Sequence, residues 1–355
     1  MAKMKKAVTM ADIAEKMDVS IVTVSKALSG QKGVSEEVRE KIVALASELG
    51  YQMPRRLNDA AKKQSFRIGV LIPASAQGDS FYWKMYQSVA DRAMEKDCFT
   101  SYEGLSREMT ERRLLPRLIS DRVVDGLIVI GRPGDNYGDF LKENAGVPLT
   151  FLDFYEDIPE VDCFISDGFY GTYRLTNYLY ERGHRDIAYV GTLFATESIT
   201  DRYLGYLKSM MEHGLTPASD YVIPDRSVEG GISENYQKYR LPEKMPTAFV
   251  CNCDYTASFL IRDLKQKGLS VPEDVSVVGF DNYLGTLYEE VGITTYAVDI
   301  PGMAEGAVQS LIRQMKGEDV KKGIHIVEGF LVERTAWQIF AERKRKNDGQ
   351  SQGKL

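Results

Sequence analysis

Residues 9–35, TMADIAEKMDVSIVTVSKALSGQKGVS, limit what this chain can fold into more than any other stretch. Thr9 stands where a helix wants an N-cap, and Asp12 falls at the capping-box position. Val8 and Ile13 flank that cap at staple spacing. Ser20 repeats the arrangement with Val19 and Val24. Only Asp18 and Val19 lie between the two helices so marked, which is the spacing of a helix-turn-helix. A further cap, Ser35, opens a third helix with Val38, Ile42, Leu45 and Leu49 on one face and Gly50 as its stop.

The faces of the second helix decide its use. Val24, Ala27 and Leu28 share a side that can pack on Ile13, Ala14 and Met17. Val22, Ser25, Lys26 and Ser29 recur at helical spacing and share the other side. That side is small and partly cationic. It suits a DNA major groove, about 12 Å wide, entered by the helix's N-terminal residues. For a helix pair taken alone, a plain solvated face is the simpler reading. A complete three-helix unit at the front of a much longer chain favours the groove.

At 355 residues the chain exceeds one ordinary core, so two or three domains are expected. No apolar run approaches the ~20 residues a membrane helix needs, and the start, MAKMKKAVTMAD, lacks the apolar segment of a signal peptide. Cys98 and Cys163 are isolated, while Cys251 and Cys253 alternate at a strand end with no histidine nearby. That is neither a disulfide nor a zinc pattern, and a reducing cytoplasm fits. The net charge of −6 conceals an asymmetry: residues 1–67 hold 13 Lys/Arg against 8 Asp/Glu, a balance of +5 that leaves −11 for the rest. A basic head on an acidic body suits a head that meets nucleic acid.

Residues 52–66, QMPRRLNDAAKKQSF, read as a basic linker able to lie along phosphates, with a short helix at 55–63. From Phe66 the pattern changes to buried parallel strands alternating with helices. The first series is strand 66–73, helix 81–96, strand 98–102, helix 108–120, strand 125–131, helix 137–144 and strand 148–153. The second is helix 171–182, strand 186–191, helix 201–212, strand 221–224, helix 231–239, strand 247–252, helix 255–267 and strand 274–280. Two doubly wound α/β lobes of similar size imply a cleft outside the carboxyl ends of their strands. The polar tail, 341–355, reads as disordered.

Six segments, in order, resemble the lactose-repressor (LacI/GalR) family of bacterial transcription regulators: VTMADIAEKMDVSIVTVSKALSG, ELGY, RGHRDIAYVG, TDRYLGY, DVSVVGFDN and GITTY. The resemblance spans residues 8 to about 337. It implies an all-α three-helix helix-turn-helix head (1–52), a hinge (53–65) and an α/β two-lobed core like the type I periplasmic binding proteins (66–340). The first lobe would comprise 66–164 and 299–327, the second 165–298 and 328–340. It further implies a cytoplasmic homodimer on palindromic double-stranded operator DNA, a repressor of a carbohydrate operon controlled by a small sugar-like effector, with no cofactor, metal or membrane.

Carried over residue by residue, Thr9, Ser20 and Ser35 match phosphate contacts, which the free N–H groups at helix starts also favour. Ile21 and Val22 match the pair that reads bases; both are apolar, so they suit thymine methyls. Thr23, Ser25 and Lys26 match further groove positions, Ser29 shares their face by helical spacing, and Lys26 lacks the planar fork of the arginine many members have there. In the hinge, Arg55 and Arg56 are the basic contacts. The leucine that members wedge into the minor groove is replaced by Ala60, with Leu57 three residues early, which implies either a hinge in a different register or, the favoured reading, weaker kinking of the duplex.

In the cleft the resemblance points to Phe81, Tyr82, Trp83, Asp167, Arg202, Cys253, Asp254 and Asp281. Carboxylates, a guanidinium and aromatic faces suit a polyol. Asp167 and Asp281 also suit helix caps, and Phe81 also suits a core. Cys253 replaces an asparagine frequent in the family, and no aromatic falls near Ser227 where members stack one. An exported sugar-binding protein would share the lobes without the head. An enzyme is not indicated: G-x-S-x-G, P-loop, G-x-G-x-x-G and H-E-x-x-H patterns are missing, no catalytic residue is assigned, and His184, His213 and His325 lie far apart, His184 in a turn that suits a structural role. Control by a protein co-regulator or a non-sugar ligand remains the alternative for the same DNA-binding regulator.

Overall fold

The computed structural model describes residues 10–28, 33–49, 65–74, 80–134, 136–158, 160–226, 240–283 and 292–334. They fall into two compact units, divided between residues 63 and 64. The expected hinge 53–65 (all but Ser65), the helix at 231–239 and the tail lie outside the described residues.

The first unit is three helices: α1 (Met10–Met17), α2 (Ile21–Leu28) and α3 (Glu36–Glu48). Ile13, Ala14, Val24, Ala27, Ile42 and Ala46 form its core, with Met17, Leu28, Val38, Leu45 and Leu49 packed around them. These include every core position the helical spacing pointed to. Asp18 adopts φ 52° after α1, and the Val19 N–H returns to the Ala14 carbonyl at 3.1 Å, which closes the tight turn. Ser20 Oγ then accepts from Thr23 N–H at 3.1 Å and caps α2. Arg39, on α3, donates to the Lys26 and Ala27 carbonyls at 3.3 and 3.0 Å, so the last turn of α2 is satisfied by a side chain from another helix.

The second unit contains two six-stranded sheets. The first has strands β1 (Arg67–Pro73), β2 (Phe99–Leu105), β3 (Gly126–Ile130), β4 (Leu149–Leu152), β5 (Asp162–Ser166) and β11 (Ile324–Val327), in the order β11-β5-β4-β3-β1-β2, all parallel. The second has β6 (Ile187–Val190), β7 (Val222–Ile223), β8 (Ala248–Cys251), β9 (Ser276–Asp281), β10 (Thr294–Ala297) and β12 (Phe330–Val332), in the order β12-β10-β9-β8-β6-β7. Only the β10–β12 pair of that sheet is antiparallel. Central strands are fully buried, as continuous apolar runs in a parallel sheet require.

Helices α4 (Ser80–Glu95), α5 (Arg107–Glu111), α6 (Arg117–Ser120) and α7 (Tyr137–Asn144) precede β5. The helices α8 (Gly168–Glu181), α9 (Glu197–Glu212) and α10 (Asp254–Gln266) belong to the second lobe, and α11 (Ile300–Met315) returns to pack on α4, β3, β4 and β5. The single helix expected at 108–120 is two short ones. Pro116 cannot donate a helical hydrogen bond, and the Glu103 carboxylate instead takes the Arg117 and Leu118 N–H groups at 2.9 Å each.

The chain therefore passes between the lobes three times, at 166–168, 297–300 and 327–330. The passages are tied to one another and to their surroundings. The Asp167 N–H donates to the Val327 carbonyl at 3.2 Å, and the Gly329 N–H to Tyr296 Oη at 3.1 Å. Asp167 and Asp299 cap α8 and α11 directly after their crossings, each accepting a backbone N–H at 3.0 Å. Each lobe keeps its own core to either side of these crossings.

Candidate functional site

The cleft is built where strands of both lobes end. Arg202 projects from α9 and is 6% exposed. Its Nη1 donates to the Asn252 carbonyl at 2.6 Å, just past β8. Its Nη2 lies 3.1 Å from Asp281 Oδ1, and its plane sits 3.9 Å from the Phe280 ring centroid. Burial alone would lower the Arg202 pKa, but the carboxylates of Asp281 and Asp153 outweigh it and the group is held above its ordinary value. Asp153 ends β4 of the other lobe, so this guanidinium feels both lobes.

Next to it lies a second polar knot that the sequence reading did not name. Asp225 is 1% exposed and Asn252 also 1%. Asp225 Oδ2 accepts from Arg226 Nη2 at 2.7 Å, Asn252 Nδ2 at 2.7 Å and Thr256 Oγ1 at 2.8 Å, while Oδ1 accepts from Thr192 N–H at 2.8 Å. Burial would push the Asp225 carboxyl up, yet Arg226 and these donors hold it below the usual value. Cys253 caps α10 through Sγ, and burial raises its thiol to about 11 despite Arg226 nearby. It is therefore a neutral cap at neutral pH.

The candidates from sequence separate into groups. Arg202, Asp281 and Cys253 come together at the ends of β8 and β9. Tyr82 joins them from the first lobe: its ring lies over Gly131, whose φ of +75° and missing Cβ make the approach possible, and it acts on the charge of Arg226. Phe81 is buried in the first lobe's core and meets Tyr283 of the second lobe edge to face, with ring centroids 5.8 Å apart. Asp254 is fully buried, takes the Tyr283 N–H at 3.0 Å and packs against Gly279 of β9. Burial, then the neighbouring Asp281, push its carboxyl well above the usual value.

Asp167 acts as the α8 cap at the seam. Trp83 parts from the cleft aromatics. One position round the helix from Tyr82, it turns about 100° away and packs against Tyr86 and Tyr102 at 5.7 and 5.0 Å. His184 is buried and bonds Thr247 at 3.0 Å, the structural role its turn suggested.

A third set of contacts joins the lobes beside the cleft. Tyr155 Oη donates to Asp201 at 3.2 Å, and Arg132 Nη1 pairs with Glu197 at 2.8 Å. A cavity of about 520 Å³ opens there, lined by Arg132, Tyr155, Glu156 and Glu197 among others. Burial and Asp201 push the Tyr155 hydroxyl up to about 12, so it stays a donor. Asp201 and Arg202 are adjacent on α9: one grips the opposite lobe, the other lines the cleft.

In the head, Ser20 and Ile21 are exposed, and Thr23, Ser25 and Lys26 are half-buried. Ser35 is exposed before α3. Thr9, Ser29, Arg55, Arg56, Leu57, Ala60 and the side chain of Val22 lie outside what is described. The residues missed by sequence reading, Asp225, Arg226, Asn252 and Asp153, all follow strand ends. Listing polar residues at those ends finds them, because parallel sheets bind ligands there.

Residues 9–53 match the family described as bacterial regulatory proteins, lacI family, and residues 176–336 match the periplasmic binding protein-like domain. The HTH-type transcriptional repressor CytR of Escherichia coli (strain K12) is 26% identical over 332 residues, covering 93% of this chain and 96% of CytR. The HTH-type transcriptional repressor PurR of Glaesserella parasuis serovar 5 (strain SH0165) is 27% identical over 315 residues, covering 87% and 90%. A lac repressor dimer bound to operator and the anti-inducer ONPF superposes with a TM-score of 0.70 at 26% identity, covering 94% of this chain and all of that one. A CelR–cellobiose complex at 22% identity and TM-score 0.66 shares the fold, covering 93% and 99%.

A helix-turn-helix head followed by a two-lobed core of the periplasmic binding protein-like kind defines a DNA-binding transcriptional regulator rather than an enzyme. The chain belongs to the lacI family of bacterial regulatory proteins and is a DNA-binding transcriptional regulator.

Proposed function

We propose that this regulator is a cytoplasmic repressor that grips a palindromic operator as a homodimer, and that a small sugar-like effector seated around Arg202 sets its affinity for DNA. The observation that carries the effector reading is the burial of Arg202 at the strand ends, between Asn252 and Asp281 and within the field of Asp153 from the other lobe. A buried ion pair is a weak source of stability, so its position in a cleft speaks for binding. A guanidinium fork and carboxylates from two lobes match a ligand rich in hydroxyls.

For the head, Ser20, Ile21, Thr23, Ser25 and Lys26 are the groove-facing set, with Ser35 on phosphate. Thr9, Val22 and the hinge residues Arg55, Arg56, Leu57 and Ala60 join them by family resemblance, and Ser29 by helical spacing. The repressors CytR and PurR, and the operator-bound lac repressor dimer, support repression and dimeric binding. Two heads would occupy successive major grooves ~34–36 Å apart, and a ligand that prefers one lobe arrangement would change how well both fit.

Binding-site selection from random duplexes, with and without a sugar panel, tests the reading. It should return an inverted repeat whose retention responds to one sugar class. Lys26→Ala should erode discrimination between that repeat and random duplex if Lys26 reads a base. No enrichment of any inverted repeat would overturn the proposal.

A further inference from the structure

The strongest feature outside the family's residues is Arg226. Its backbone is fixed first: the Asp225 and Arg226 N–H groups both donate to Thr192 Oγ1 at 3.0 Å, and Thr192 Oγ1 donates to the Arg226 carbonyl at 2.7 Å. Its side chain is fixed next. Nε and Nη2 reach Asp225 Oδ2 at 3.1 and 2.7 Å, and Nη2 also reaches Asn252 Oδ1 at 3.1 Å. The guanidinium is thus a rigid plane, 14% exposed, just past β7.

One edge of that plane is unspent. Nη1 makes no hydrogen bond to the described residues, and it is not among the fully buried polar atoms that lack a partner, so it keeps some contact with solvent. Arg202 differs: its Nη atoms are engaged by the Asn252 carbonyl and the Asp281 carboxylate, and its Nε, which lacks a hydrogen-bond partner among the described residues, is buried away from solvent. The Asp225 charge is met by Thr192, Asn252 and Thr256 as well as by Arg226, so the carboxylate does not depend on the guanidinium alone. Tyr82, whose ring lies against Gly131 of the first lobe, interacts electrostatically with Arg226 and carries a hydroxyl of its own. The cleft is therefore polarised. Asp281 and Asp153 make the Arg202 end rich in acceptors, and Arg226 with Tyr82 makes the other end rich in donors.

We propose that Arg226 is a specificity-determining residue and that the effector is an acidic sugar or polyol. Its hydroxyls lie toward Asp281, and an oxyanion, carboxylate or phosphate, is held by the Nη1 edge of Arg226. The proposal rests on the cleft reading above and narrows its ligand class. A guanidinium held in plane presents its donors to such an oxyanion without losing side-chain freedom on binding.

The test is thermal shift and calorimetry on the full chain with glucose, glucuronate, glucose 6-phosphate and inorganic phosphate, extended to the galactose and mannose counterparts. At least one acidic sugar should bind roughly 10- to 100-fold more tightly than its neutral parent, the scale of a hydrogen bond to a charged group. A preference for the uronate or for the sugar phosphate tells the carboxylate source from the phosphate source. Arg226→Gln should abolish the difference, and Arg226→Lys, which keeps the charge without the fork, should retain part of it. If Arg226→Gln fails to fold, the wild-type preference and Arg226→Lys still decide.

Tight binding of a neutral sugar, unaffected by either variant, would overturn this proposal and leave the cleft reading standing. Binding of no sugar, neutral or acidic, would overturn both. Stabilisation by inorganic phosphate alone, insensitive to Arg226→Gln, would also overturn it.

Discussion

Replacing Arg202 with Met removes a buried cation and leaves most of its volume filled. Two groups are then stranded: the Asn252 carbonyl loses a 2.6 Å donor, and Asp281 loses its counter-ion at 3.1 Å. Breaking one side of a buried ion pair costs about 3–5 kcal/mol, because the remaining charge stays out of water. The Asp281 side chain retains 15% exposure, so it recovers some hydration and the lower end applies, roughly 3 kcal/mol. Loss of the stacking on Phe280 adds a smaller term that Met partly replaces. For a unit of this size, roughly 2–4 °C of Tm accompany each kcal/mol, so the core transition should fall by roughly 6–12 °C.

The diagnostic measurement is the double variant Arg202→Met with Asp281→Asn. If the penalty comes from a stranded carboxylate, neutralising it should recover on the order of 1–3 kcal/mol, read as a coupling energy in urea denaturation. A single variant that melts within about 2 °C of the parent would refute the ledger. So would a double variant whose loss is the plain sum of the two singles.

Three further outcomes follow from the same geometry. Ser20→Ala leaves the Thr23 N–H without its cap and should cost the head about 1 kcal/mol, read as a lower melting point of the head; an unchanged head would show that Ser20 caps nothing. Tyr155→Phe removes the bond to Asp201 between the lobes, so hydrogen exchange around 153–158 and the first turn of α9 should quicken, and unchanged protection would show that this contact does not hold the lobes together. In pH titrations of urea midpoints, Asp225 and Asp254 should act with opposite signs. The Asp225 pKa is depressed on folding, so its stabilisation is present above the ordinary aspartate value of 3.8 and is lost as pH falls through the lower folded value. The Asp254 pKa is raised, so its contribution is lost as pH rises above 3.8 toward the folded value. Asp254→Asn should therefore gain on the parent as pH rises above 3.8, and a relative loss on that rise would contradict the assigned burial effect.

What the sequence disclosed and what it hid divide along a physical line. The head was legible because its signals are local: Ser20 caps a helix a few residues away, and Ile13, Val24 and Ile42 recur at helical spacing. The central strands were legible for a related reason, since each is buried on both faces and reads as an unbroken apolar run. Strand β11 carries no such run: Ile324 and Ile326 face outward while His325 pairs with the buried Asp162, so its place at the edge of the first sheet is set by tertiary contacts.

The cleft illustrates the same limit more sharply. Arg202 and Asp281 stand far apart in sequence, and only resemblance put them together. Trp83 stood beside Tyr82 in sequence, but adjacent helical residues diverge, and the helix carried it to a different aromatic cluster. Asp225 and Arg226 stand next to each other after a two-residue strand, in a stretch with little pattern. Their role comes from Thr192, Asn252 and Thr256, which the topology brings to the same strand ends. Local capping and periodicity thus specify the reader of DNA. The strand-end site is written in convergences that no local pattern records: the Arg226 guanidinium is held in place by Asp225 and by Asn252 from the end of another strand.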